Sequence, residues 1–144
     1  VSHTTSIWKL IYDELVGNAA LVAALGHTSS NEKIGRMSNK KHLGDPCVVY
    51  SQKLSNKLVD EDQERIISIR KKYIELASFS ENNDTIAVDN MELVMSALDG
   101  KNLTDGTYKV VLLQWDGFSS AGYYDENEKA YRIDTRFLLI TREL

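Results

Sequence analysis

Residues 64–79, ERIISIRKKYIELASF, limit what this chain can fold into more than any other stretch. Their β-branched and aromatic content predicts one long strand. Its pattern changes in the middle. Ile67 and Ile69 stand at odd positions, Ile74 and Leu76 at even ones, with Lys71 and Lys72 between them. Strand side chains alternate between faces, so a slip of one residue sends every later side chain to the opposite face. Length sets a second limit. A domain of 144 residues has a radius of gyration of roughly 15 Å. About fifteen strand residues at roughly 3.3 Å each would reach roughly 50 Å. Such a strand must bend or leave the core. A bulge at Lys71-Lys72 would bend it and exchange its buried face. Two arrangements stay open: a sheet that curls around its own helices, or a protruding hairpin that packs on another subunit. An open apolar edge invites aggregation, which favours a cover of some kind.

The other elements follow from periodicity and punctuation. Ile7, Leu10, Ile11 and Leu15 recur at helical spacing, with Trp8 and Tyr12 beside them, and predict a helix over 6–16. Gly17 ends it, and Asn18 starts a short helix, AALVAAL, closed by Gly26. Residues 27–46 are polar and turn-rich, with a short strand near 33–37. Pro46, the only proline, marks a turn entering the strand CVVYSQ. Residues 54–63 read as a loop with an acidic tip at Asp60, Glu61 and Asp62. The run SENNDT caps a helix over 84–98, where Ala87, Met91, Val94 and Leu98 form one stripe. A strand over 106–118 and a closing strand over 130–142 form a hairpin. In the latter, Tyr131, Ile133, Phe137 and Leu139 share one face and Arg132, Asp134 and Arg136 the other. The expected fold is α+β in a single domain of residues 1–144: a mainly antiparallel, curved sheet packed against an N-terminal helix and a second helix near 84–98.

Composition narrows the function. Acids outnumber bases 21 to 17, for a formal charge of −4, which disfavours sequence-independent binding to nucleic-acid phosphates. It also disfavours an anionic membrane surface. No apolar run approaches the roughly 20 residues of a membrane helix, and the first sixteen residues lack a signal-peptide pattern. The lone Cys47 can form no intrachain disulfide. The expectation is a soluble intracellular protein.

Catalytic motifs are missing. His3, His27 and His42 stand in no HExxH spacing, and no cysteine beside them completes a zinc set. Cys47 opens an apolar strand and reads as a buried structural residue. There is no GxGxxG, GxxxxGK[ST] or GxSxG. Asp60, Glu61 and Asp62 lack the alternating ligands and glycine of a calcium loop and read as a solvated turn. The clusters Lys40-Lys41-His42 and Arg70-Lys71-Lys72 read as solvated surface, or else as interface or phosphate contacts. Tyr123-Tyr124 lie in a glycine-containing turn, where exposed aromatics suggest an interface. No catalytic residue, cofactor or metal is expected.

The layout resembles the tail terminator proteins of long-tailed bacteriophages, also called tail completion or tail-to-head joining proteins. The resemblance runs along nearly the whole chain. It comprises the opening helix and small-residue segment IWKLIYDELVGNAALVAAL, the Pro-led strand GDPCVVYSQ, the long strand, the helix VDNMELVMSALDG and the closing YRIDTRFLLITREL. The loop at 54–63 and the link at 116–130 are longer than the family pattern requires. The resemblance implies a non-enzymatic virion protein at the head-proximal end of the tail, made in the bacterial host cytoplasm. Such proteins form a hexameric ring that stops polymerisation of the tail tube protein and docks the head connector or head-closure protein. DNA passes through the ring without specific binding, and no membrane is involved. A ring closes through heterologous contacts, so each subunit hides strand edges on its neighbours. On this basis Ile67, Ile69, Lys71, Lys72, Tyr123 and Tyr124 are candidates for the subunit interface, and Asp60, Glu61 and Asp62 for the lumen or tube face. An acidic lumen suits a DNA conduit, because a channel that attracted phosphates would hold the DNA back. The alternatives are a head-closure or connector adaptor, another tail component such as the tube protein, a small cytosolic ligand-binding domain or enzyme, and a toxin- or immunity-type binding module.

Overall fold

The computed structural model describes residues 3–57 and 69–144. Two helices open the chain, α1 (His3–Val16) and α2 (Ala19–Leu25). A short strand β1 (Ile34–Arg36) and a 3₁₀ helix (Met37–His42) lead to β2 (Cys47–Lys57) and β3 (Ile69–Ser80). Then come α3 (Asp84–Leu98), β4 (Leu103–Thr104), β5 (Tyr108–Ser119), β6 (Tyr123–Asp125) and β7 (Ala130–Glu143). The strands form one seven-stranded sheet in the order β1-β2-β3-β7-β5-β4, with β6 also paired to β7. Every pair is antiparallel except β1 with β2. The architecture is the expected α+β one, an open curled sheet with helices against it.

The punctuation read from the sequence acts as stated. Asn18 Oδ1 accepts the Leu21 N–H at 3.0 Å and starts α2. Gly26, at φ 71°, ends α2 in the left-handed conformation, its N–H directed at the carbonyls of Val22 and Ala23. Asn83 starts α3 by accepting the Ile86 N–H at 2.9 Å. Asn83→Ala is expected to cost about 1 kcal/mol, seen as a lower urea midpoint at unchanged slope, while Asn83→Asp retains most of the stability.

One face of the sheet carries the main core. Ile7, Ile11 and Leu15 of α1 and Ala87, Met91, Val94 and Leu98 of α3 are buried against it. The sheet supplies Ile74 and Leu76 from β3 and Ile133, Phe137 and Leu139 from β7. The opposite face has a smaller cluster near the 3₁₀ helix: Cys47, Val49, Ala77, Phe79 and Ala130, with Met37 and Leu43 against them. Further along that face no α-helix of the described residues covers the sheet, and Ile69, Lys71, Tyr73 and Glu75 are half-buried.

The expected bulge at Lys71-Lys72 is not there. The β3–β7 ladder runs from Ile69↔Arg142 to Ser80↔Tyr131 without a shift. The irregularities lie in the neighbours: in β2 between Gln52 and Ser55, and in β5 between Val110 and Leu112 and between Trp115 and Ser119. The physical reason is position. β3 is paired on both sides, so an extra residue there would break two ladders. The first two shifts fall beyond the stretches where β1 and β4 pair, on backbone with one paired side. β3 alternates throughout, and Lys72 occupies a place in the core-facing row with Ile74, Leu76, Ser78 and Ser80, all buried.

Candidate assembly surfaces

Lys72, expected at a subunit interface, is instead interior, with 2% of its surface exposed. Its Nζ donates to Thr4 Oγ1 at 3.1 Å, under the first turn of α1. Burial, with the charge of Arg70 second, pushes its ammonium down to about 8. The other interface candidates on described residues are at the surface. Ile69 and Lys71 share the helix-free face, and Tyr123 and Tyr124 are 43% and 45% exposed on β6. Ile67, Asp60, Glu61 and Asp62 lie outside the described residues.

On the helix-free face, cations and aromatics interleave. Arg136 pairs with Asp116, and its guanidinium lies 4.9 Å from the Tyr73 ring and 5.5 Å from Phe118. Lys71 Nζ stands 5.4 Å from the same Tyr73 ring. Arg132 bridges Asp125 and Asp134, each at 2.9 Å, and Tyr123 Oη donates to Asp134 at 3.0 Å. Each cationic head thus packs on a ring or carboxylate while its stem covers apolar surface.

The β5–β6 side of the sheet carries most of the exposed large apolar groups. Val111, Trp115, Phe118, Tyr123 and Tyr124 are 36–46% exposed. Trp115 Nε1 donates to the Phe118 carbonyl at 2.8 Å, and its backbone N–H to Asp99 Oδ1 at 3.0 Å. Gly117, at φ 90°, turns the chain between them in a conformation that a side chain would strain.

A groove of about 570 Å³ lies at the other side of the sheet, between α1 and β1. Trp8, Tyr12 and Tyr50 line it, with Lys9, Glu32 and Arg36 among its charged groups. Arg36 stacks 4.6 Å from the Trp8 ring. Tyr12 Oη donates to Glu32 at 3.1 Å, and burial followed by that bond raises its phenol. Burial pushes the Tyr50 phenol up to about 12. Trp8 Nε1 is buried and meets no acceptor among the described residues. The sequence placed Trp8 and Tyr12 beside the helix stripe without assigning them a surface. Their i, i+4 spacing, flanking the apolar stripe, was the available signal.

Cys47 is buried, and burial pushes its thiol up to about 11, away from the reactive thiolate. His27 is half-buried and accepts the Lys33 N–H at 3.0 Å. His42 is exposed at the groove. Lys40 pairs with Glu128 at 3.1 Å and sits 4.5 Å from the Phe79 ring. No group of three or more His, Cys, Asp or Glu among the described residues is arranged to hold a metal ion. None of the described helices is long and apolar enough to cross a membrane.

The fold defines a class, the open antiparallel sheet with helices on one face. Within it the chain is similar to a solved chain from the virion of a native gene transfer agent particle. The TM-score is 0.77 over 99% of this chain and 99% of that chain, at 14% sequence identity. At that identity the likeness is one of fold. No family model matches the sequence, and no curated protein matches it.

Proposed function

We propose that the chain is a structural virion protein, a bacteriophage tail terminator. It forms a ring on the head-proximal end of the tail tube, stops tube polymerisation and offers a docking face to the head connector. The observation that carries this is the end-to-end likeness of fold to a chain of a gene transfer agent virion, 99% of each chain superposing. The order of sequence elements supports the terminator among virion components. In this reading the oligomer is a hexamer, its axial partners are the tube protein and the connector or head-closure protein, and DNA crosses the ring without specific binding. The formal charge of −4 supports a conduit that does not hold DNA. Ile69, Lys71, Tyr123 and Tyr124 are proposed subunit contacts, since each stands at the surface of a sheet with open edges.

The test is negative-stain microscopy of particles assembled with the gene deleted. Tubes of uncontrolled length without heads are the expected result. Tails of normal length lying free beside filled heads would instead assign a joining or head-closure role. Intact, infectious particles would overturn the virion reading.

A further inference from the structure

We infer that the aromatic β5–β6 edge of one copy inserts into the α1–β1 groove of the next. The occupant of the groove is therefore a second copy of this chain, held head to tail. This rests on the ring reading above and assigns the contact that builds it.

The two surfaces differ in kind and lie on opposite sides of one sheet. The order β1-β2-β3-β7-β5-β4 puts the groove beside one edge strand and the exposed aromatics toward the other edge. A patch and a distinct pocket on the same molecule cannot satisfy each other in a two-fold dimer through one shared patch. They pair heterologously, and such pairing propagates into a closed ring or a filament. Exposed rings gathered along one strand edge are the anchors that protein interfaces use, and the groove is walled by Trp8, Tyr12 and Tyr50.

Charge points the same way. Arg36 and His42 line the groove with Glu32, and Lys9, also in the lining, is paired with Asp13 at 2.7 Å. Exposed Asp99 accepts from the backbone of Trp115, and exposed Glu126 follows β6. The incoming edge therefore brings carboxylates toward Arg36 in the groove lining.

The test uses single cysteines in a Cys47→Ala background. Asn39→Cys places a thiol in the groove lining, and Ala121→Cys places one in the exposed turn between Phe118 and Tyr123. The two variants are mixed at the highest concentration the protein tolerates and oxidised. Covalent dimer is expected in the mixture and not in either variant alone. A chain with both cysteines is expected to give a covalent ladder. Separately, Trp115→Ala and Phe118→Ala are each expected to weaken self-association by about tenfold, with the thermal unfolding of the monomer retained. Dimer from one variant alone would mean a two-fold contact and overturn the pairing. Oligomers without cross-links would overturn it too, as would a protein that stays monomeric by sedimentation. These outcomes are separate from the particle phenotype, which tests the ring's role and not its contact.

Discussion

Lys72→Met should raise the stability of the protein by about 1–3 kcal/mol at neutral pH. The lysine is 2% exposed in a row of core residues, and its Nζ reaches Thr4 Oγ1 at the first turn of α1. A helix N-terminus carries partial positive charge, so an ammonium placed there is repelled as well as desolvated. Methionine has nearly the same length and fills the same space without the charge. The sign of the pH dependence follows from the lowered value. Unfolded, the amine titrates near 10.5; folded, near 8. Between those values the unfolded chain binds the proton and the folded chain does not, so stability from this group rises with pH across about 8 to 10.5. Below that window the folded protein bears the full penalty, roughly 3 kcal/mol at most. The advantage of Lys72→Met should be largest below pH 8 and shrink toward pH 10.5. Urea midpoints of both proteins at several pH values measure it. A variant less stable than the parent at neutral pH would show that the lysine's polar contacts outweigh its burial.

The same lysine explains where the sequence misled. Its charge suggested solvent, so Ile74 and Leu76 looked displaced from Ile69 by a slip. In fact the alternation never breaks, and a polar residue simply occupies a core position. Period-two patterns report faces only where polarity and burial agree. Where they agreed, the elements were legible: the α1 and α3 stripes, the asparagine starts, the glycine end of α2 and the closing strand's two faces. Sheet order was not legible, because pairing between β3 and β7 joins residues far apart in the chain. Nor was the short β6, a three-residue strand within the expected turn.

The exposed aromatic surface was half legible. The exposure of Tyr123 and Tyr124 could be read because two adjacent aromatics beside a glycine have no local core to enter. Trp115 and Phe118 were not, because an aromatic in a β-rich run reads as core unless the bulge is known. The β5 register shift between Trp115 and Ser119 accompanies their exposure. The groove depends on α1 meeting β1, a tertiary contact with no short-range signature.

Lys33→Met should do the opposite of Lys72→Met and destabilise the protein by about 2–4 kcal/mol. This lysine is 7% exposed, and its Nζ donates to the Leu25 carbonyl at 3.1 Å and the Asp45 carbonyl at 3.0 Å. Leu25 ends α2, so its carbonyl belongs to the negative end of a helix, where a cation is favoured. The lysine's backbone is engaged as well. Its N–H donates to His27 and its carbonyl accepts from Val48 at 2.9 Å, linking the loop after α2 to the first strand pair. Gly44 leaves room for the stem, since a Cβ there would stand 2.6 Å from Lys33 Cε. Methionine would keep the stem and leave the buried Leu25 carbonyl and the part-buried Asp45 carbonyl without their charged donor. The urea midpoint should fall, and amide exchange at Val48 should quicken ahead of the β3–β7 ladder. An unchanged midpoint would sink this account. Burial alone therefore does not decide what a lysine contributes: one lies at the positive end of a helix, the other at a negative end, and the same substitution should move stability in opposite directions.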